Sequence, residues 1–263
     1  MAKSDSKKRA EMMAKEWKKS QSTTRSLNDL IRMGLLHDQE LGGWRALEGG
    51  SYPDPRAGEI VVFEDCFKRG FGVPVHPFLQ GLLLYYEIGI CNLHPNSILL
   101  VATFIHLCEA YVGIEPHFDL FRYPFCLRKK GVVEGSKITG GVYLNLYDGM
   151  KNLYLSYPWN TYLTEWYKRW FYIREEPGSA TFCDVGYAPE KRTSWTDRPE
   201  FSGQVSELMG LIDWLCLDGL GVVGNFHARR VMPCQRRVHA VYEYQGGQDS
   251  TRLRPDNLEK PEI

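Results

Sequence analysis

Apolar positions follow a helical period through the first half of the chain and an alternating one in part of the second half. Leu27, Leu30 and Ile31 stand at i, i+3, i+4, the spacing of one helix face. Ser22, Thr23 and Thr24 can cap such a helix through Ile31 or Arg32, and Gly34 ends it. Glu59–Phe63 reads as a short strand. After the turn Arg69–Pro74, a helix runs from about Pro77 to Glu87. Pro95 opens the next one, at a position where its missing N–H costs nothing. Here Ile98, Leu99, Val101, Ala102, Phe104, Ile105, Cys108, Tyr111 and Val112 cover almost the whole circumference. A helix apolar on all sides is central and buried. Gly113 stops it, and Glu115–Pro116 starts a further short helix to roughly Leu127.

The pattern changes at Arg128–Gly131. Gly141–Tyr147 and Lys151–Tyr157 flank Asp148–Met150, a hairpin signal, with Leu144, Leu146, Leu153 and Leu155 as the inward face. Tyr167–Arg174 reads as a third strand, with Tyr167, Phe171 and Ile173 pointing one way and Lys168 and Trp170 the other. Residues 37–58 and 175–203 read as long loops. Between the second loop and the tail, Val205–Leu217 carries Val205, Leu208, Met209, Ile212, Leu215 and Cys216 on one helix face. The fold class expected is α+β: helix-rich, with a buried central helix and a small antiparallel sheet of about three strands. The expected organisation is a basic N-terminal arm over 1–21, a globular domain over 22–245 with a sub-division near 128–140, and a polar tail over 246–263.

Apolar residues make up 43% of the 263, which supplies a real core and argues against global disorder. Lys plus Arg equals Asp plus Glu at 32 each, so no overall charge steers the chain to nucleic acid or membrane. The charge is unevenly spread. Residues 1–25 carry eight basic and three acidic side chains, and residues 226–240 carry Arg229, Arg230, Arg236 and Arg237 with no acid. The seven cysteines form no C-x-x-C pair and several have apolar neighbours, the usage of reduced, packed thiols. The N-terminus lacks an apolar signal region. The longest apolar stretch, Ile98–Tyr111, is interrupted by His106 and Glu109 and is short for a bilayer span. The expectation is an intracellular protein, in the nucleus or the cytoplasm, with no membrane partner.

Four constellations could carry chemistry. Gly219, Gly221 and Gly224 match the spacing of a dinucleotide fingerprint, with Glu243 some twenty residues on. That site needs a strand before the glycines and a helix after them, whereas the preceding segment has helical spacing; the glycines read as a flexible connection after a helix. His106 and Glu109, with Cys108 between them and His117 nearby, have a spacing that can hold a metal. No second His lies one turn away, so the reading is a buried Glu satisfied by an Arg or a backbone group. Tyr167–Arg174 interleaves aromatic and basic residues, as a strand that stacks bases would, although plain core alternation accounts for the same pattern. Arg229, Arg230, Arg236 and Arg237 suit phosphate contacts, or pairing with acids such as Asp213, Asp218 or Glu243. There is no G-x-S-x-G and no P-loop. No catalytic residue, cofactor or metal is expected.

Several blocks, in order, carry a family resemblance: Leu30–Leu36, Trp44–Arg45, Gly58–Phe63, Arg69–Pro74, Pro95–Phe118, Trp166–Ile173 and Arg229–Arg252. From about Ser22 to Arg252 the chain resembles the plant gypsy-type transposon domain, a family also labelled transposase. The resemblance implies a protein carried by, or left behind by, a mobile element. Members look like the leading part of longer element-encoded proteins. The sequence shows neither the acidic triad nor the zinc signature of an integrase, no CCHC knuckle and no reverse-transcriptase motif, so the label reads as lineage rather than catalysis.

These readings lead to a non-enzymatic, element-derived protein that acts by self-association or by non-specific nucleic-acid binding, in the manner of a Gag component. Its candidate contacts are Arg229, Arg230, Arg236, Arg237, Lys168 and Arg169. The alternatives are a nuclear protein-interaction module, a DNA-strand-transfer transposase, and a relic without function.

Overall fold

A computed structural model describes residues 11, 16–47, 51–130, 138–151, 153–155, 163–175, 184–200, 202–214, 217 and 219–231. The class is α+β with a central buried helix. In chain order the elements are α1 (Thr24–Arg32), α2 (Gln39–Gly42), β1 (Glu59–Phe63), α3 (Glu64–Phe67), α4 (Pro77–Tyr86) and α5 (Pro95–His106). They are followed by α6 (Phe118–Arg122), β2 (Phe125–Lys129), β3 (Val142–Leu146), β4 (Trp170–Arg174), α7 (Gly203–Trp214) and α8 (Gly219–Phe226). Both α5 and α8 continue without a break into π-helical turns, Leu107–Val112 and His227–Val231 respectively.

Local chemistry accounts for the helix ends. Thr23 and Ser26 form a reciprocal capping box at the start of α1. Proline occupies the first turn of α4 and of α5, each preceded by a histidine whose Nδ1 accepts a backbone N–H. Gly113, at φ +81°, ends the π-helical turn after α5.

The α5 helix is the axis of the core. Ile98, Val101, Phe104 and Ile105 are each at most 1% exposed, and Phe104 sits in an aromatic cluster with Phe78, Phe121 and Phe125 at centroid distances of 4.8–5.5 Å. Together with its π-helical turn this element runs 18 residues, Pro95–Val112, at a mean hydropathy of 1.3. Length and composition alone would let it cross a bilayer, contrary to the sequence expectation, but 78% of that window is buried within the fold, as in a core helix.

The strands pair differently from the sequence expectation. Among the described residues, two separate two-stranded antiparallel sheets stand in place of one of three strands. The strand β1 pairs with β4 from Glu59↔Arg174 to Phe63↔Trp170, and Arg45 bridges to the free side of Tyr172. Meanwhile β2 pairs with β3 from Phe125↔Leu146 to Lys129↔Val142. The expected helix to Leu127 therefore ends at Arg122, and Phe125–Lys129 is its successor strand. Asp148–Met150 is not a hairpin turn but a single 3₁₀ turn that buries Met150. Tyr154 and Leu155 then enter the core, and residues 152 and 156–162, which include part of the expected strand Lys151–Tyr157, lie outside the described ones. On β4, Trp170, Phe171, Tyr172 and Ile173 are all buried, because both faces of the strand are covered. One face receives Trp17, which lies parallel to Phe63 at 5.9 Å, meets Trp170 edge-on at 5.5 Å, and donates its Nε1–H to Val185 O at 2.8 Å. Residues 17–21, within the segment expected to be an arm, are thus packed along the β1–β4 sheet.

The expected glycine connection at 219–224 is helical instead. Val222 and Phe226 form an i, i+4 stripe that is fully buried, and this tertiary contact overrides the low helix propensity of glycine. Phe226 reaches Gly70, which has φ +93°; a Cβ there would lie 2.7 Å from the Ala102 Cβ and 2.8 Å from the Phe226 ring.

Candidate functional site

Two groups of charged residues stand out, one inside the fold and one on its surface. The internal group is built where the two π-helical turns meet. Glu109, on the turn after α5, and Arg230, on the turn after α8, form an ion pair of 2.6 Å with side chains 2% and 1% exposed. The other carboxylate oxygen of Glu109 is 3.2 Å from His76 Nε2. His76 Nδ1 accepts the Phe78 N–H at 3.1 Å as the N-cap of α4. Acceptance at Nδ1 assigns the ring proton to Nε2, so His76 donates to Glu109. One turn before Glu109, buried His106 is 3.0 Å from Asn225 Oδ1 on α8 and packs edge-on to Phe226. A π-helical turn shifts the side chains that follow it relative to regular α geometry, and such turns recur at functional positions. Here two of them bring a carboxylate and a guanidinium face to face. Beside His76 a narrow cleft is lined by Gly70, Gly72, Leu79, Ile98, Val101, Ala102 and Ile105.

This arrangement answers what Glu109 pairs with, and it relocates one candidate contact. Arg230, expected among the phosphate-binding residues, is an internal counter-ion. Arg229 is half-buried on the same turn, and Arg236 and Arg237 lie outside the described residues. The sequence spacing of His106, Cys108, Glu109 and His117 does not become a metal centre: among the described residues no three His, Cys, Asp or Glu side chains converge. Burial pushes the Cys108 thiol well above its usual range, and Glu109 beside it adds to the shift. Burial likewise pushes the Cys66 thiol up to about 12, with the Asp65 charge adding to it. Neither is poised as a nucleophile.

The surface group lies where the N-terminal segment runs beside the start of β4. The Gln21 N–H donates to Lys168 O at 2.7 Å, Trp170 Nε1–H donates to Lys18 O at 2.8 Å, and the Ser20 hydroxyl donates to Trp170 O. Lys18 and Lys19 are exposed, and these bonds set them alongside Lys168 and Arg169. The Glu64 N–H donates to Arg169 O at 3.0 Å, and Glu64 also accepts the Ser26 hydroxyl at 2.7 Å, next to exposed Arg25. Buried Asp65 sits between two guanidinium groups, 2.8 Å from Arg169 and 3.8 Å from Arg69. Burial draws the Arg69 guanidinium below its usual range, opposed by Asp65, with the charge of Arg169 nearby adding to the lowering. Glu64 and Asp65 balance Arg69 and Arg169, and Glu165 balances Lys168, so the positive excess of this region rests on Lys18, Lys19 and Arg25. Lys168 pairs with Glu165, with side chains 26% and 53% exposed; ion pairs at the surface contribute little to stability.

Sequence reasoning singled out Lys168 and Arg169 and, separately, the basic N-terminal segment. It missed that residues 17–21 run beside the start of β4. Trp17, an isolated aromatic within a charged segment, was the available signal for docking.

No curated protein and no solved structure matches the chain. Residues 60–129, which span β1 to the end of β2 and contain His76, His106 and Glu109, match the family described as "Putative gypsy type transposon". That is the family the sequence blocks resemble, and the match falls on the part of the chain that holds the buried central helix.

Proposed function

We propose that this protein, with its match to a transposon family, acts without catalysis, binding nucleic acid non-specifically through the phosphate backbone, as a packaging component does. The observation that carries the reading is the docking of residues 17–21 beside the start of β4, which brings the backbone that bears exposed Lys18 and Lys19 next to that of Lys168. A chain of zero net charge attracts a polyanion only through such a local excess. The internal charges support the same reading from the other side. Glu109, Arg230 and Asp65 are committed to pairs within the fold, which suits a scaffold better than an acid–base or metal-dependent site.

The test is the salt dependence of binding to a labelled DNA fragment. Substituting Lys18, Lys19 and Lys168 by Gln should lower the slope of log affinity against log salt by about 0.7–0.9 for each phosphate no longer neutralised. Sequence changes in the fragment should matter little, since phosphate contacts carry no sequence information. A slope unchanged by the triple substitution would reject this face. Absence of binding at low salt would reject the reading in favour of a protein-interaction module, for which exposed Trp214 and Leu220 at the α7–α8 corner would be the first residues to probe.

A further inference from the structure

We propose that the outer face of the β2–β3 sheet is a second phosphate-binding surface, on which Arg198 and Arg128 each hold a phosphate of one nucleic acid. This rests on the nucleic-acid reading above and adds a contact region apart from the N-terminal segment. Pairing of Arg128 with Tyr143, and of Cys126 with Asn145, puts these residues on the face opposite buried Leu127 and Leu144. Tyr147 follows β3 in the same alternation.

Arg198 lies against this end of the sheet. Its Cζ is 4.1 Å over the Tyr123 ring and 4.9 Å over the Tyr147 ring, and its Nε–H donates to Tyr123 O at 2.8 Å. Two rings and one hydrogen bond thus fix the plane of an exposed guanidinium, and none of them uses its terminal amino groups. On the same face Arg128 donates its Nε–H to Cys126 Sγ at 3.5 Å, which likewise leaves its terminal amino groups for a ligand. Among the described residues neither Arg128 nor Arg198 forms an ion pair, whereas Arg122 pairs with Asp119 and Asp197, and Lys151 with Asp148. The face therefore carries two cations with no carboxylate partner. Both are planar, always charged and already oriented, so little freedom is lost when they take an oxyanion. Their spacing selects the ligand. The strand positions beside them, Tyr143 and Tyr147, lie about 13 Å apart along the chain. A single acidic side chain reaches one of the two. A nucleic acid carries a charge about every 3.4 Å along each strand of a duplex, so one ligand meets both in any register.

The experiment measures fluorescence anisotropy of a labelled DNA duplex of about 15 base pairs over a series of salt concentrations. Arg198→Gln and Arg128→Gln should each lower the slope of log affinity against log salt by about 0.9, and the double variant by about 1.8. Arg198→Lys should keep the slope and still weaken binding, because an ammonium retains the charge but not the stacked fork. Circular dichroism checks the folds. Arg128→Gln leaves the stack of Arg198 on Tyr123 and Tyr147 untouched, so it tests the face even if Arg198→Gln unfolds. A slope unchanged in both single variants overturns this surface and leaves the Lys18 and Lys19 contacts standing. Labelled poly-L-glutamate is the second probe. If the double variant loses as much affinity for it as for DNA, the face takes acidic proteins and the phosphate assignment is overturned. Failure of the wild-type protein to bind the duplex at low salt overturns the nucleic-acid reading and this inference together.

Discussion

Replacing Arg230 by Met removes the cation from a carboxylate that is almost wholly sealed from water. Glu109 is 2% exposed and Arg230 1%, so the lost partner is not replaced by solvent. Breaking a buried pair from one side costs about 3–5 kcal/mol, because the remaining charge is uncompensated. The donor from His76 at 3.2 Å stays in place and puts the expectation at the lower end, about 3 kcal/mol. For a chain of this size that corresponds to a fall in melting temperature of roughly 6–12 °C. The double variant Glu109→Gln, Arg230→Met is the informative one. Gln has no charge to strand and still offers an oxygen to His76 Nε2–H. The double variant should therefore be more stable than Arg230→Met alone, although it carries one more substitution. Urea titration followed by tryptophan fluorescence gives both values. If Arg230→Met costs under about 1 kcal/mol, the level of an exposed pair, or if Glu109→Gln adds further loss, the pair is not the buried charge couple described here.

Two further outcomes follow from the same packing. Gly70→Ala should destabilise the fold by about 1–3 kcal/mol, since the added methyl meets Ala102 and Phe226 inside 3 Å at a φ that L-residues rarely adopt; a neutral result in thermal denaturation would mean that α8 does not pack there. His227 should make stability depend on pH. Burial holds its imidazole below the usual value, so the unfolded chain binds the proton more tightly. The stabilisation is then present above about pH 6.5 and lost as pH falls toward the folded value. His227→Gln should flatten that part of the stability profile, and an unchanged profile would place His227 in solvent.

What the sequence revealed depended on how local the determining interaction is. The helix over Pro95–Gly113 was legible because a continuous apolar circumference has one physical solution, and α1 because the Ser22–Thr24 run and Gly34 are its own end signals. The strand partners were not legible. Leu144 and Leu146 alternate equally well whether they face Leu153 and Leu155 or Phe125 and Leu127, and only the latter pairing forms. Likewise, β1 and β4 meet across more than a hundred residues, a choice that no short-range signal makes. The buried state of Glu109 followed from its apolar neighbours. Its partner did not, because Arg230 lies more than a hundred residues on, at a π-helical turn, and no residue type announces such a turn.

The equal totals of acid and base in this chain therefore conceal a division of labour. Arg45 is bidentate to Glu59 at 2.7 Å through both contacts and lies 3.8 Å over the Tyr172 ring, which fixes the edge of the β1–β4 sheet. Arg122 joins Asp197 at 2.7 Å and packs over Tyr85, tying the segment after β4 to α4 and α6. Arg230 performs the corresponding task for α8. These guanidinium groups hold distant segments together because each offers several fixed donors and a flat face at once. The lysines have no such geometry: Lys168 makes only a local i, i+3 pair with Glu165, and Lys18 and Lys19 are exposed to solvent. Counting cations along the sequence weights all of these equally. Among the described residues, the electrostatic surface is set by the few whose side chains the fold does not use, and Lys18 and Lys19 are two of them.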